Sequence, residues 1–158
     1  ADKAEGFSNI FVKIPIMNTK GVFNTNVIRQ LHQEGLNINV TSVYTIRQLN
    51  ELQSIFNKEI PVIVSIFAGK IADTGVNPAS IVQYAVALFK DYPNVKILWA
   101  ACRSVYNIYE AQDAGCHIVT IPSSVLTRMV RIGLNLEQMT IDTIKTFHND
   151  GVQGQIFF

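Results

Sequence analysis

Apolar runs and amphipathic stretches alternate five times along this chain, and that alternation predicts its architecture. The first run, residues 10–14, is a short strand with Lys13 near its end. A helix follows over about 24–34, with Val27, Ile28 and Leu31 on one face and Gly35 as its stop. Residues 37–44 form a β-branched strand, and 45–57 a helix striped by Ile46, Leu49, Leu52, Ile55 and Phe56. The third run, 61–67, is almost continuously apolar, as expected of a strand covered on both faces in a parallel sheet. A glycine- and aspartate-bearing loop over 68–76 leads to a helix opened by Asn77-Pro78, a cap followed by a proline suited to a first turn. Its buried face is Ile81, Val82, Ala85, Leu88 and Phe89. The fourth strand is predicted over 95–101, a helix capped by Ser104 runs to about 114, and the fifth strand is 117–121. Helical pieces near 124–132 and 135–148 follow, and residues 150–158 read as a glycine-containing tail.

Consecutive βα units with short connections require parallel strands and right-handed crossovers. An open doubly wound sheet or part of a (β/α)8 barrel satisfies that pattern. No GxGxxG or GxxxxGK[ST] follows any strand, so the nucleotide-binding version lacks its fingerprint. The barrel version makes a sharper demand: residues near the strand C-termini that point inward should be polar, because they line the catalytic mouth. Lys13, Asn39, Thr41, Ser65, Arg103 and Thr120 meet it, with Phe67 and Lys70 beside them. Asn39 and Thr41 lie two apart, so the pleat places both on one face. Each has a plainer explanation too. Asn39 and Thr41 can satisfy backbone groups, and Arg103 can pair with Asp113 or Asp73.

Composition narrows the function. At 158 residues, with 48% hydrophobic and 16% charged residues, the chain can bury a sizeable core and is not disordered. A net charge of +1, scattered along the chain, offers no basic stripe for nucleic acid or an anionic membrane surface. No apolar run approaches the roughly 20 residues of a membrane helix. Residues 1–8 are polar and charged rather than a secretory signal, and read as the tail of a helix entering a strand. Cys102 and Cys116 resemble small core residues more than a disulfide framework, which makes a reducing cytoplasm the default. There is no CxxC, and His32, His117 and His148 lack ligand spacing, so no metal is expected.

Lys13 carries the candidate chemistry. Desolvating an ammonium inside an apolar strand disfavours its charged form and frees the lone pair that a Schiff-base nucleophile needs. The alternative is an edge-strand lysine whose ammonium reaches water.

Five segments taken in order resemble the transaldolase family, including its small members similar to fructose-6-phosphate aldolase. They are Val12-Lys13-Ile14-Pro15 with Gly21; Glu34-Gly35-Leu36-Asn37-Ile38-Asn39-Val40-Thr41; Ser65-Ile66-Phe67-Ala68-Gly69-Lys70-Ile71-Ala72-Asp73; Ala100-Ala101-Cys102-Arg103; and Ala114-Gly115-Cys116-His117-Ile118-Val119-Thr120-Ile121-Pro122. The resemblance implies an α/β chain holding the last five βα units of a (β/α)8 TIM barrel. Residues 1–158 would then form a single partial barrel domain, with a C-terminal helix and tail over 134–158. It implies that Lys13 forms a Schiff base with a ketose phosphate and transfers a dihydroxyacetone unit to an aldose phosphate, chemistry of the pentose phosphate pathway type, without a cofactor. Asn39 and Thr41 would hold the ketose and a catalytic water, and Ser65, Phe67, Lys70 and Arg103 would line the substrate and phosphate site. Phe67 stands where transaldolases have phenylalanine and small aldolases tend to have tyrosine.

The chain departs from the family pattern at Lys70, where arginine is usual, and at Ala101, where serine is usual. Lysine keeps the charge but not the bidentate fork. Three family strands that precede Lys13, with the acidic residues of the proton relay, are also missing from this sequence, so a chain of low activity on its own is expected. The alternatives are a non-catalytic sugar-phosphate-binding or assembly subunit, a fructose-6-phosphate aldolase-like lyase, and a barrel enzyme using its lysine only electrostatically. The resemblance favours a homo-oligomer, because small members associate through their C-terminal helices. Here that segment carries Leu136, Met139, Ile144 and Phe147 at helical spacing.

Overall fold

Each of the five apolar runs becomes a strand in the computed structural model, in which residues 9–154 are described. The reading of residues 1–8 as a helix tail, and the final Phe157-Phe158, lie outside the described residues. The strands are β1 (Val12–Pro15), β2 (Ile38–Val43), β3 (Val62–Ile66), β4 (Val95–Trp99) and β5 (Ile118–Val119). Between them run α1 (Thr25–Gln33), α2 (Ile46–Leu52), α3 (Ala68–Ala72), α4 (Ala79–Leu88) and α5 (Tyr106–Asp113). A short α6 (Ser123–Leu126) follows β5.

All four pairings are parallel, and the spatial order β1-β2-β3-β4-β5 repeats the chain order. A doubly wound sheet reverses its strand order at a switch point. This sheet does not, so its winding is that of a barrel arc.

The two faces of the sheet differ. Ile38, Val40, Val62, Val64, Ile66, Ile97 and Trp99 are fully buried and share one apolar cluster with Ile28, Leu49, Leu52, Val82, Ala85 and Ala111 of the helices. Alternation sends the intervening residues to the other face. There, register aligns Lys13 with Asn39, Asn39 with Ile63, Ile63 with Lys96, and Ser65 with Leu98.

Local chemistry sets the element boundaries. Thr45 Oγ1 accepts from the Gln48 N–H while Gln48 Oε1 accepts from the Thr45 N–H, a reciprocal cap on α2. Asn77 Oδ1 accepts from the Ala79 N–H at 2.9 Å to open α4. α2 ends at Leu52, earlier than its apolar stripe, although Ile55 and Phe56 beyond it remain buried. The expected loop over 68–76 is in part the helix α3, whose buried Ala68, Gly69 and Ile71 pack where a loop was read from the glycines. β1 is an edge strand. Pro15 at its end has no N–H to offer, and its carbonyl accepts from Asn24 Nδ2 at 2.9 Å.

Residues from Thr127 onward form a second compact unit. It holds a 3-10 turn, Thr127–Arg131, and the helix α7, Leu136–Gln153. Asn135 caps α7, its Oδ1 accepting from the Glu137 and Gln138 N–H groups. The helix continues through Gly151, beyond the expected end near 148. Among the described residues, no helix is long and apolar enough to cross a membrane.

Candidate active site

The polar face of the sheet gathers four of the expected site residues. Lys13 on β1 and Asn39 on β2 are direct cross-strand partners, and Pro15 pairs with Thr41. Ser65 Oγ donates to Asn39 Oδ1 at 2.7 Å, which orients the amide. Ser65 is only 2% exposed, so this hydroxyl is an interior group of the face rather than a surface one. Thr41 is also buried, and its Oγ1 has no hydrogen-bond partner among the described residues. A buried hydroxyl in that condition is suited to a water or a substrate hydroxyl.

Backbone irregularity lies next to these groups. The β2–β3 register shifts between Val40 and Val43, and Ser42 takes a left-handed φ of 59°. Ala101, just past β4, does the same at 61°. These are the two non-glycine residues in that region among the described residues, Ser42 at the irregular C-terminal part of β2 and Ala101 just beyond β4.

The burial expected of Lys13 is not found: its residue is exposed. It sits on an edge strand, on the face that the helices do not cover, so β1 supplies no apolar wall around it. What the strand provides is placement beside Asn39. Desolvation of the amine is not part of the described structure.

Phe67 and Lys70 belong to α3 and its cap, Arg103 to the loop after β4, and the two segments lock together. Phe67 opens α3, its ring 5.6 Å from that of Tyr44, and Lys70 Nζ lies 5.3 Å from the Phe67 ring centroid. The Gly69 N–H donates to the Ala100 carbonyl at 3.3 Å. A Cβ on Gly69 would fall 1.7 Å from the Ala101 carbonyl oxygen, so only glycine admits this approach. The same Cβ position is 3.1 Å from Arg103 Cγ, which places the arginine stem across α3. Arg103 Nη2 donates to Asp73 Oδ2 at 2.9 Å, choosing Asp73 from the two acids considered from the sequence. Asn107 Oδ1 accepts from the Arg103 and Ser104 N–H groups and holds the turn into α5. The sequence reading missed Asn107. An asparagine inside the first turn of a helix, able to reach back to preceding N–H groups, was its available signal. Thr120 stays exposed, its Oγ1 3.5 Å from the Trp99 carbonyl.

Among the described residues, the surroundings shift three groups from their ordinary values, and none of them is on this polar face. Burial lowers His32 on α1 and, together with the nearby Lys96 charge, His117. Burial raises the Cys116 thiol, against opposing backbone hydrogen bonds. Cys116 and His117 lie at the start of β5, the opposite end of the strands from Thr41 and Arg103.

Comparison with known proteins places the chain in a family. The model of the Transaldolase/Fructose-6-phosphate aldolase family matches residues 3–155. A probable transaldolase of Caldicellulosiruptor saccharolyticus is 33% identical over 135 residues, covering 84% of this chain and 58% of the relative. One from Streptococcus equi subsp. zooepidemicus is 30% identical over 148 residues, covering 93% and 63%. One from Nitrosopumilus maritimus is 32% identical over 125 residues, covering 78% and 53%. The chain thus spans less than two thirds of the length of these curated relatives. With a family match across nearly its whole length and a sheet wound in barrel order, the chain belongs to the transaldolase/fructose-6-phosphate aldolase family.

Proposed function

We propose that this chain contributes the Schiff-base half of a transaldolase active site. Lys13 Nζ adds to the carbonyl of a ketose phosphate, and loss of water gives an iminium. The iminium accepts the electron pair of the cleaved carbon–carbon bond, an aldose phosphate leaves, and the retained dihydroxyacetone unit attacks an acceptor aldehyde. Hydrolysis returns the amine. The observation that carries this reading is the in-register pairing of Lys13 with Asn39, on the face that also holds the buried Ser65 and Thr41 hydroxyls. Asn39 and Thr41 hold the ketose and a water, and Ser65 positions Asn39. Phe67, Lys70 and Arg103 receive the sugar and its phosphate.

The whole reaction belongs to a closed barrel, to which this chain brings five βα units. On its own the chain is expected to turn over slowly, since the general acid–base help of a proton relay contributes roughly 10²–10⁴-fold. Pentose phosphate type chemistry in the cytoplasm fits the thiols of Cys102 and Cys116, which make hydrogen bonds to backbone carbonyls rather than a disulfide. We place a homo-oligomeric contact on α7, where Leu136, Met139, Ile144 and Phe147 are exposed.

Borohydride reduction in the presence of fructose 6-phosphate, read by intact and peptide mass, tests the assignment. The expected result is a reduced sugar adduct on Lys13 that disappears in Lys13→Arg. Equal labelling of the variant, or an adduct on another lysine, would overturn it. Sugar-phosphate binding without an adduct would favour the non-catalytic reading, which the exposure of Lys13 and the presence of Ala101 support. Cleavage without any acceptor would favour an aldolase-like lyase.

A further inference from the structure

Arg103 is held before any substrate arrives. Its stem crosses Gly69, its backbone N–H is fixed by Asn107, and its guanidinium ends on Asp73 at the C-terminus of α3. Both partners are more than half exposed, at 56% and 54%. An exposed pair of this kind contributes little free energy in water, because each charge is almost as well solvated apart. It therefore orders the guanidinium without locking it. Lys70 stands one turn before Asp73 on the same short helix, so an anion replacing the carboxylate would meet a second cation.

We propose that Asp73 is a positioning residue for Arg103: an internal carboxylate that holds the guanidinium by its Nη2 and is exchanged for the substrate phosphate. This rests on the reading of Arg103 as a phosphate-binding group. The exchange is selective on charge grounds. A phosphate dianion offers more charge and more acceptor oxygens than one carboxylate, whereas a neutral hydroxyl offers neither, so unphosphorylated sugars leave the pair closed. It also gives Asp73 a role distinct from passive support, because a competitor weakens phosphate binding while it stands in place.

Titration of the full chain with inorganic phosphate, followed by calorimetry and by the Arg Nε–H resonances, tests this. Four proteins are compared: wild type, Asp73→Asn, Arg103→Gln, and the double variant, with circular dichroism verifying that each is folded. The expected result is tighter phosphate binding in Asp73→Asn, by up to about fivefold, the factor set by the upper range for exposed ion pairs. That gain should vanish in the Arg103→Gln background. An equal gain in both backgrounds would mean only that a negative charge had been removed, and would overturn the exchange. Binding that is lost in Arg103→Gln but unchanged or weakened in Asp73→Asn would overturn it too, while leaving Arg103 as a phosphate ligand. Binding indifferent to Arg103→Gln, or absent in wild type and Asp73→Asn alike, would sink both readings.

Discussion

The two faces of the same five strands have been given opposite tasks. Toward the helices, Val40, Val64, Ile97 and Trp99 are wholly buried in one apolar cluster. On the other side, one residue away along each strand, stand Lys13, Asn39, Ser65 and Lys96. A pleat of period two separates them, so one short strand serves stability and chemistry at once. Energetic weight therefore lies on the first face and the proposed chemistry on the second. Substitutions should divide accordingly.

The largest expected effect is on the helix-covered face. Trp99→Ala should cost roughly 3–5 kcal/mol in denaturant unfolding, because it is wholly buried and its removal leaves a cavity. A cost under about 1 kcal/mol would mean that this layer does not hold the sheet together. Acid attacks the same layer differently. His32 is 1% exposed, its Nε2 accepts from the Asn57 N–H, and its ring lies edge-on to Phe56 at 5.5 Å. Burial lowers its pKa, so below the ordinary value of about 6.5 the unfolded chain binds a proton that the folded one refuses. Stability is then full above that pH and falls as pH drops toward the depressed folded value. Thermal midpoints measured from pH 7.5 to 5 should decline, and a flat profile would contradict the burial argument. On the polar face, Ser65→Ala removes the bond that orients Asn39 and should cost roughly 1 kcal/mol of stability. Its effect on borohydride trapping should exceed that cost. Lys13→Met is the smallest in stability, within about 0.5 kcal/mol, since the residue is exposed on an edge strand. It should nonetheless abolish the adduct. A strongly destabilised Lys13→Met would blur the division between the faces.

The division explains what was legible in the amino-acid pattern. A strand buried on its helix side spells itself as Pro61-Val62-Ile63-Val64, and five such runs separated by helical stripes leave few other topologies. The order of the polar residues was equally readable, since parity alone puts Asn39 with Thr41. Three features were not readable. α3 was hidden because Gly69 looks like a loop residue, when it is there to admit the Ala101 carbonyl. Whether Lys13 is desolvated or reaches water from an edge strand stayed open, because that depends on which strands flank it; the second alternative is the one found. The choice of Asp73 over Asp113 for Arg103 follows from the path of the arginine stem across Gly69, a tertiary fact.

Pro15 has a consequence for the margin of the sheet. Val12 and Ile16 direct their N–H groups to β2, so on the outward side of β1 the donors at this alternation belong to Lys13 and the residue after next, which is the proline. With no hydrogen on that nitrogen and with Asn24 already on its carbonyl, the upper margin offers a stray chain nothing to zip onto. Any strand that joins must engage below, at the level of the lysine itself. An imino acid and an amide thus close the margin of β1 above the amine to pairing with a further strand.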